Sequence, residues 1–404
     1  MSNAYENALL IVTPNAYKAS KIYALKPTDG SGDLSFTRAG SKMRRNSAGL
    51  WETIGANIPP LNYPVGGGCP SWLFEAEATC LIPASNLFIG DCTKTTGITD
   101  SPISGLTSVR ITKTSASAQY VVSSYSATIT NATPYGASVY FKYDGHDIDS
   151  SLEFNSGGDF GIGWKADIEI RAGGITISST TSCTAVLVAE ANGWYRLEVA
   201  LTSATVTNNS GSVLIKAVGA SGATFLITTS NLTQETSPSS PILTTGSNLT
   251  RFADKPLSIT TPLLLNDFSI YMKFNLSKVN QALGFMLLGS IDSALISRIY
   301  IDSAASMTFD VGASSTSIGT SGLSINADYK ICFTRSGTTL KYYRNGALIG
   351  TFTVNSGAFN LTSFCNGVDS GGDTGKYITL GNFSEGIAYE TALSGTEAEN
   401  LTAL

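Results

Sequence analysis

Apolar and polar residues alternate with a period of two in short runs along most of this chain, and long helical patterns are few. From Leu81 to Thr236 the runs Ser108–Lys113, Tyr120–Val122, Ala137–Tyr143, Leu152–Phe154, Ile168–Ile170, Ile175–Ile177, Ala185–Val188, Trp194–Ala200, Val213–Val218 and Thr224–Thr228 predict about ten short strands separated by Gly, Asn and Ser. From Lys255 onward Phe268–Leu276 alternates most cleanly. It is followed by Phe285–Leu288, Arg298–Ile301, Met307–Val311, Tyr329–Arg335, Thr339–Arg344, Ala347–Thr353 and Tyr377–Leu380. Asn345-Gly346 predicts a two-residue hairpin, because both central residues must accept positive φ. Only the end of the chain predicts a helix: Ser394 is placed as N-cap, with Glu397 three residues on completing a capping box.

The stretch before Leu81 differs in texture. Thr28-Asp29-Gly30-Ser31-Gly32-Asp33 is a polar turn cluster, and Leu34-Ser35-Phe36-Thr37 alternates like a half-buried strand. Pro59-Pro60 and Gly66-Gly67-Gly68 then exclude a long helix or central strand. Each segment is too short to bury a core of its own, so the stretch is expected to be ordered by docking on something larger, namely neighbouring subunits. The expected fold is all-β: two jelly-roll-like β-sandwiches after an extended N-terminal anchoring module. The expected divisions are 1–80 for the module, 81–236 for the first sandwich, 237–254 for a linker with two prolines, and 255–404 for the second sandwich.

Composition agrees with an ordered chain. Charged residues make up 14% and hydrophobic residues 42%, the opposite of a disordered composition, and forty glycines suit many tight turns. A net charge of −5 gives no general attraction to nucleic acid or to a membrane surface. The one basic run, Lys42-Met43-Arg44-Arg45, is expected in a solvated loop or against an acidic protein surface. The start of the chain does not read as a signal peptide, and no apolar run is long enough for a membrane-spanning helix. The six cysteines form no C-x-x-C pair and His146 is the sole histidine, so free, mostly buried thiols made in a cytosol are expected rather than a zinc site.

Candidate chemistry is sparse. Residues 255–404 lack a Glu-x-Asp-x-x-Glu run, a single histidine disfavours a Ser-His-Asp triad, and neither a P-loop nor a Gly-x-Ser-x-Gly motif occurs. No catalytic residue is assigned. The acidic loop Asp144–Asp149 lacks the order of a calcium loop, whereas Asp369 and Asp373, flanking Ser370-Gly371-Gly372, are candidates to hold Ca²⁺ at a sandwich edge. Trp164, beside Gly161 and Gly163, and one ring of the pair Tyr342 and Tyr343 are candidate platforms for stacking on sugars.

Three resemblances rest on particular residues. Pro27–Asp33, Phe36-Thr37-Arg38, Asn46–Glu52, Asn57–Tyr63 and Gly66–Glu75 together resemble an N-terminal module of tailed-bacteriophage structural proteins. Pro60 stands where that family has an arginine, and Ala76-Glu77-Ala78 replaces its Gln-Arg stretch. Gly193-Trp194-Tyr195-Arg196 resembles a step in carbohydrate-binding-module-like sandwiches. Tyr343–Gly346, Gly381-Asn382 and Ala388–Glu397 resemble the concanavalin A-like, laminin-G-type sandwich. What these resemblances imply is a non-enzymatic protein of the virion surface, a head or tail fibre or appendage. It would anchor to other virion proteins through Phe36, Arg38, Leu50, Trp51, Tyr63 and Trp72, assemble as a homotrimer, and display its sandwiches for multivalent adhesion to host or environmental glycans. A tail-associated glycan depolymerase and a purely structural capsid decoration are the alternatives.

Overall fold

A computed structural model of the chain describes residues 5–84, 87–125, 130, 133–155, 164–201, 211–235, 238–276, 285–292, 295–301, 306–312, 314–320, 322–324, 327–364 and 381–403. The architecture is all-β, apart from one 3-10 turn and the C-terminal helix Gly395–Thr402, among these residues. The helix begins at Ser394 with the expected capping box, and Asn345 (φ 47°) and Gly346 (φ 82°) make the expected hairpin turn.

Strand pairing places the N-terminal stretch inside the C-terminal sandwich. Leu10–Val12 runs antiparallel to Gly381–Tyr389, with Leu10 opposite Ala388. Ser71–Phe74 pairs with the other end of that same strand, Trp72 opposite Phe383, and Leu61–Asn62 continues the sheet outward. In the facing sheet Leu34–Thr37 pairs with Lys255–Leu265. The alternation of Leu34 and Phe36 then sends both side chains inward. One core holds Leu10, Val12, Leu34, Phe36, Trp72 and Phe74 together with Phe268, Phe309, Phe333 and Phe359. The stretch is ordered by docking, as its small apolar area requires, but the larger body is its own chain. The expectation of an extended module waiting for neighbouring subunits is therefore corrected.

The sandwich expected over 81–236 is inserted in the C-terminal one. It runs from the strand Ala78–Cys80 to the strand Leu249–Arg251, which pair with each other. A six-stranded sheet faces an eight-stranded one across a core that includes Val121, Leu152, Trp164, Ile168, Ile215 and Phe225. The proline-containing stretch expected as a free linker is packed instead. Ser240, Ile242, Thr244, Arg251 and Asp254 are all buried. Asn231 holds it, its side chain accepting from the Ile242 amide at 3.0 Å and donating to the Ile242 carbonyl at 2.8 Å.

A buried ionic cluster sits where the chain crosses between the sandwiches. Asp254 accepts from Arg38 at 2.9 Å and from Lys42 at 2.7 Å, and Lys42 also reaches Glu75 at 3.0 Å. Glu75 accepts from the Ser240 amide at 2.7 Å and the Ser240 hydroxyl at 2.6 Å, with Arg251 at 3.6 Å. Arg251 also lies 3.6 Å from Glu235. Backbone bonds lock the two crossing segments: the Glu75 amide donates to the Asp254 side chain and the Asp254 amide to the Glu75 carbonyl. Lys42, read from sequence as part of a solvated run, is in fact fully enclosed, because two carboxylates and the Leu73 carbonyl surround its ammonium.

Burial by itself raises the Glu75 carboxyl, but Arg251, Lys42 and the Ser240 hydrogen bonds outweigh it and hold the group well below the usual carboxylate range. A carboxyl depressed in the folded state contributes stability that is complete above its unfolded value near 4.3 and is lost as pH falls through the lower folded value. Thermal unfolding followed from about pH 5 down to about pH 2 should therefore show a steady fall in melting temperature. Glu75→Gln should flatten that dependence while lowering stability at neutral pH.

The remainder of the basic run forms a hairpin, Lys42–Arg45 against Trp51–Ile54, that lies on the inserted sandwich. Met43, Trp51 and Leu73 pack with Ile103, Tyr140, Trp194 and Leu226. Arg45 reaches Glu190 at 2.8 Å and stacks over the Trp51 ring at 4.2 Å, while the Trp51 indole donates to the same carboxylate at 3.3 Å. The backbone of Trp51 bonds to the Ile103 segment in both directions. The carboxylate that receives Arg45 belongs to the same molecule, and Arg44 pairs with Glu52 of its own hairpin at 3.0 Å. The stretch that ends at Phe74 thus acts as a clamp between the sandwiches.

Candidate functional site

The residues expected to stack on sugars are enclosed. Trp164 is 5% exposed, Tyr342 0% and Tyr343 1%. Trp164 shares its strand parity with Ala166, Ile168 and Ile170, all in the core, so its ring faces inward. Tyr342 stacks on Phe333 at 4.9 Å inside the other core, and burial pushes its hydroxyl up to about 12. Tyr343 points to the opposite face, but Tyr271, Tyr389 and Ala398 of the C-terminal helix cover it there. Asp369 and Asp373 lie outside the described residues. Among the described residues no group of three or more His, Cys, Asp or Glu is placed to hold a metal ion.

The expected anchoring residues are consumed within the chain in the same way. Phe36 and Trp72 are in the first core, Arg38 is held by Asp254 and three carbonyls, and Trp51 is in the inter-sandwich contact. None of these four is available to another protein, which corrects their assignment; Leu50 and Tyr63 are half-buried.

The outer face of the six-stranded sheet is different in kind. On Trp164–Arg171 the burial pattern alternates strictly, and the outward set is Lys165, Asp167, Glu169 and Arg171. Cross-strand register extends this set into three rows. Tyr120, Lys216, Ser151, Asp167 and Ser179 lie side by side across five strands. Val122, Leu214, Glu153, Lys165 and Thr181 form the next row, and Val218, Asp149, Glu169 and Thr176 the row on the other side. The central strand contributes the short Ser151 where its neighbours contribute long charged chains. Ser151 thus becomes a floor, and a groove of about 200 Å³ opens above it between Lys165, Asp167, Lys216 and Asp149.

Electrostatics in the groove are ordered by pairs. Lys165 reaches Asp167 at 2.7 Å, Arg171 reaches Asp149 at 2.5 Å and Glu169 at 3.5 Å, and Lys216 lies 3.9 Å from Glu153. The Ser151 hydroxyl donates to Glu153 at 2.7 Å and the Ser179 hydroxyl to Asp167 at 2.5 Å. The hydrogen bond to Asp167 raises the Lys165 ammonium above its ordinary value, and that to Asp149 does the same for Arg171, so both stay charged. The half-buried Tyr120 stands at the end of the Ser151 row, next to Lys216, whose ammonium lies 6.0 Å from the centre of its ring. Ammonium and carboxylate groups keep unused donor and acceptor capacity, and the sheet beneath holds them at fixed spacing. The arrangement suits a ligand that both donates and accepts hydrogen bonds. The signal lies in the sequence: Trp-Lys-Ala-Asp-Ile-Glu-Ile-Arg alternates without a break, with the tryptophan on the buried parity and the charged residues on the other.

No protein-family model matches this chain, and no curated protein matches it either. Among solved structures it is similar to the Ruminococcus gnavus IT-sialidase CBM40, at 16% identity over 34% of this chain and 84% of that one, with a TM-score of 0.28. It is also similar to a heptameric SAP-like pentraxin from Limulus polyphemus, at 15% identity over 36% and 70%, TM-score 0.26. A Trypanosoma rangeli sialidase matches at 9% identity over 77% and 62%, TM-score 0.25. Scores this low carry no functional inference, and the reading of this chain rests on its own residues.

Proposed function

We propose that this chain is a non-enzymatic glycan-binding protein that uses the outer face of the six-stranded sheet as its binding surface. The observation that carries the reading is the groove floored by Ser151, in which cations and carboxylates alternate on a rigid sheet, with Tyr120 beside Lys216 at the end of the same cross-strand row. Sugars present vicinal hydroxyls that donate and accept at once, and C–H faces that pack on rings. The groove is shallow, so a single contact is weak and strength comes from several copies acting together.

The setting we propose is the surface of a tailed-phage particle, in homotrimeric fibres or appendages that meet other virion proteins. That part of the reading is supported by the Pro27–Glu75 motif series alone. With Phe36, Arg38, Trp51 and Trp72 engaged inside the chain, the surface that meets the particle in this reading lies outside those side chains.

Affinity electrophoresis of the purified chain through gels loaded with host surface polysaccharide tests the binding role. Retardation is expected for the wild type. Asp167→Ala and Lys216→Ala should each weaken it by about tenfold or more, the loss of one charge-assisted hydrogen bond. Unchanged retardation in both variants would place binding elsewhere. Release of shortened chains, abolished by substituting Asp167 and Glu169, would favour a depolymerase instead.

A further inference from the structure

We infer that the groove selects neutral, hydroxyl-rich glycans and rejects glycans bearing carboxylate or sulfate; this rests on the glycan-binding reading of the same face. Together with Arg171, next along the same strand, the three rows carry three cations, Lys165, Arg171 and Lys216, against four carboxylates, Asp149, Glu153, Asp167 and Glu169. Each cation already has a carboxylate partner within 2.5 to 3.9 Å. An acidic ligand group brought to Lys165 would sit beside Asp167, and one brought to Lys216 would sit beside Glu153, so repulsion from the neighbour offsets the attraction. Recognition of anionic groups calls for cations in excess, and here the balance is one negative charge.

A neutral sugar meets none of that penalty. One hydroxyl can donate to a free lone pair of Asp167 while its neighbour accepts from Lys165 or Lys216, and the existing ion pairs stay intact. The pairs hold the charged ends in place before the ligand arrives, which reduces the side-chain ordering that binding requires. The Tyr120 ring, at the end of the row that contains Lys216, Ser151 and Asp167, supplies the apolar contact that a pyranose C–H face needs.

The test is isothermal titration of the full-length chain with matched probes. Dextran and mannan serve as neutral ligands, and dextran sulfate and polysialic acid as acidic ones, each at low and high salt. The expected result is binding to at least one neutral probe, with affinity little changed by salt and reduced about tenfold or more in Tyr120→Ala and in Asp167→Ala. The acidic probes should bind at least about tenfold more weakly. Tightest binding to an acidic probe, weakened by salt and abolished in Lys216→Ala, would overturn the inference while leaving the groove as the site. Absence of binding to all four probes, or binding untouched by all three substitutions, would overturn the groove reading and the inference with it. Melting curves of the three variants close to wild type exclude misfolding as the cause, since these side chains lie on the outer face; Lys165→Ala is the replacement should one of them fail to fold.

Discussion

Asp254→Ala should lower the stability of the whole chain by about 3–5 kcal/mol, the penalty for leaving a buried cation without its partner. Asp254 holds both Arg38 and Lys42, and neither side chain can reach water, because both are almost fully enclosed. Glu75 can still accept from Lys42, but Arg38 keeps only the carbonyls of Gly40, Gly55 and Ile58. Denaturant unfolding would read the loss as a shift in midpoint. A variant that also replaces Arg38 and Lys42 by methionine should recover part of it, because removing the charges together leaves none unpaired. A midpoint within experimental scatter of wild type for Asp254→Ala would mean that water enters the junction and that the cluster is not the buried lock described above.

Trp51→Ala should cost about 3–5 kcal/mol and should also split the unfolding transition in two. Trp51 is the centre of the inter-sandwich contact: its ring packs with Tyr140 and Trp194, its indole N–H bonds Glu190, and Arg45 lies over its face. Each sandwich has a separate core, and their coupling depends on this contact together with the ionic cluster. Scanning calorimetry should show a single cooperative transition for the wild type and two resolved transitions for the variant. One transition in the variant, merely shifted, would place the coupling in the cluster alone.

The strands were legible wherever alternation was clean, as in Ala137–Tyr143, Phe268–Leu276 and Tyr329–Arg335, and the structure has strands across all three. Local signals held for the same reason. Asn345-Gly346 and the Ser394–Glu397 cap depend on neighbouring residues alone. Partners were not legible. Alternation says which side chains share a face and nothing about which strand lies alongside, so the pairing of Leu10–Val12 with Gly381–Tyr389, at the far end of the chain, left no trace in the pattern. The same gap turned the stretch up to Phe74 into a module seeking neighbours. Buried charge was equally hidden: a run such as Lys42-Met43-Arg44-Arg45 is solvated in most proteins, and only the distant Asp254 and Glu190 make it otherwise. For the proposed binding face, the alternation in Trp164–Arg171 gave the two faces but not which one meets solvent. The flanking glycines suggested an open tryptophan, where the opposite parity carries the groove.

A groove on one sandwich has a fixed direction relative to the other only if the N-terminal stretch ties them within one molecule, so the adhesion by several copies that we propose depends on the clamp. Amide hydrogen exchange on the full-length chain, followed through a dilution series, tests this directly. Protection at Leu10–Val12, Leu34–Thr37, Trp51–Ile54 and Ser71–Phe74 should equal that of Gly381–Tyr389 and stay constant as the protein is diluted to monomer. Protection of those four segments that fades on dilution, while Gly381–Tyr389 keeps its own, would show that they lean on neighbouring molecules and would contradict the account.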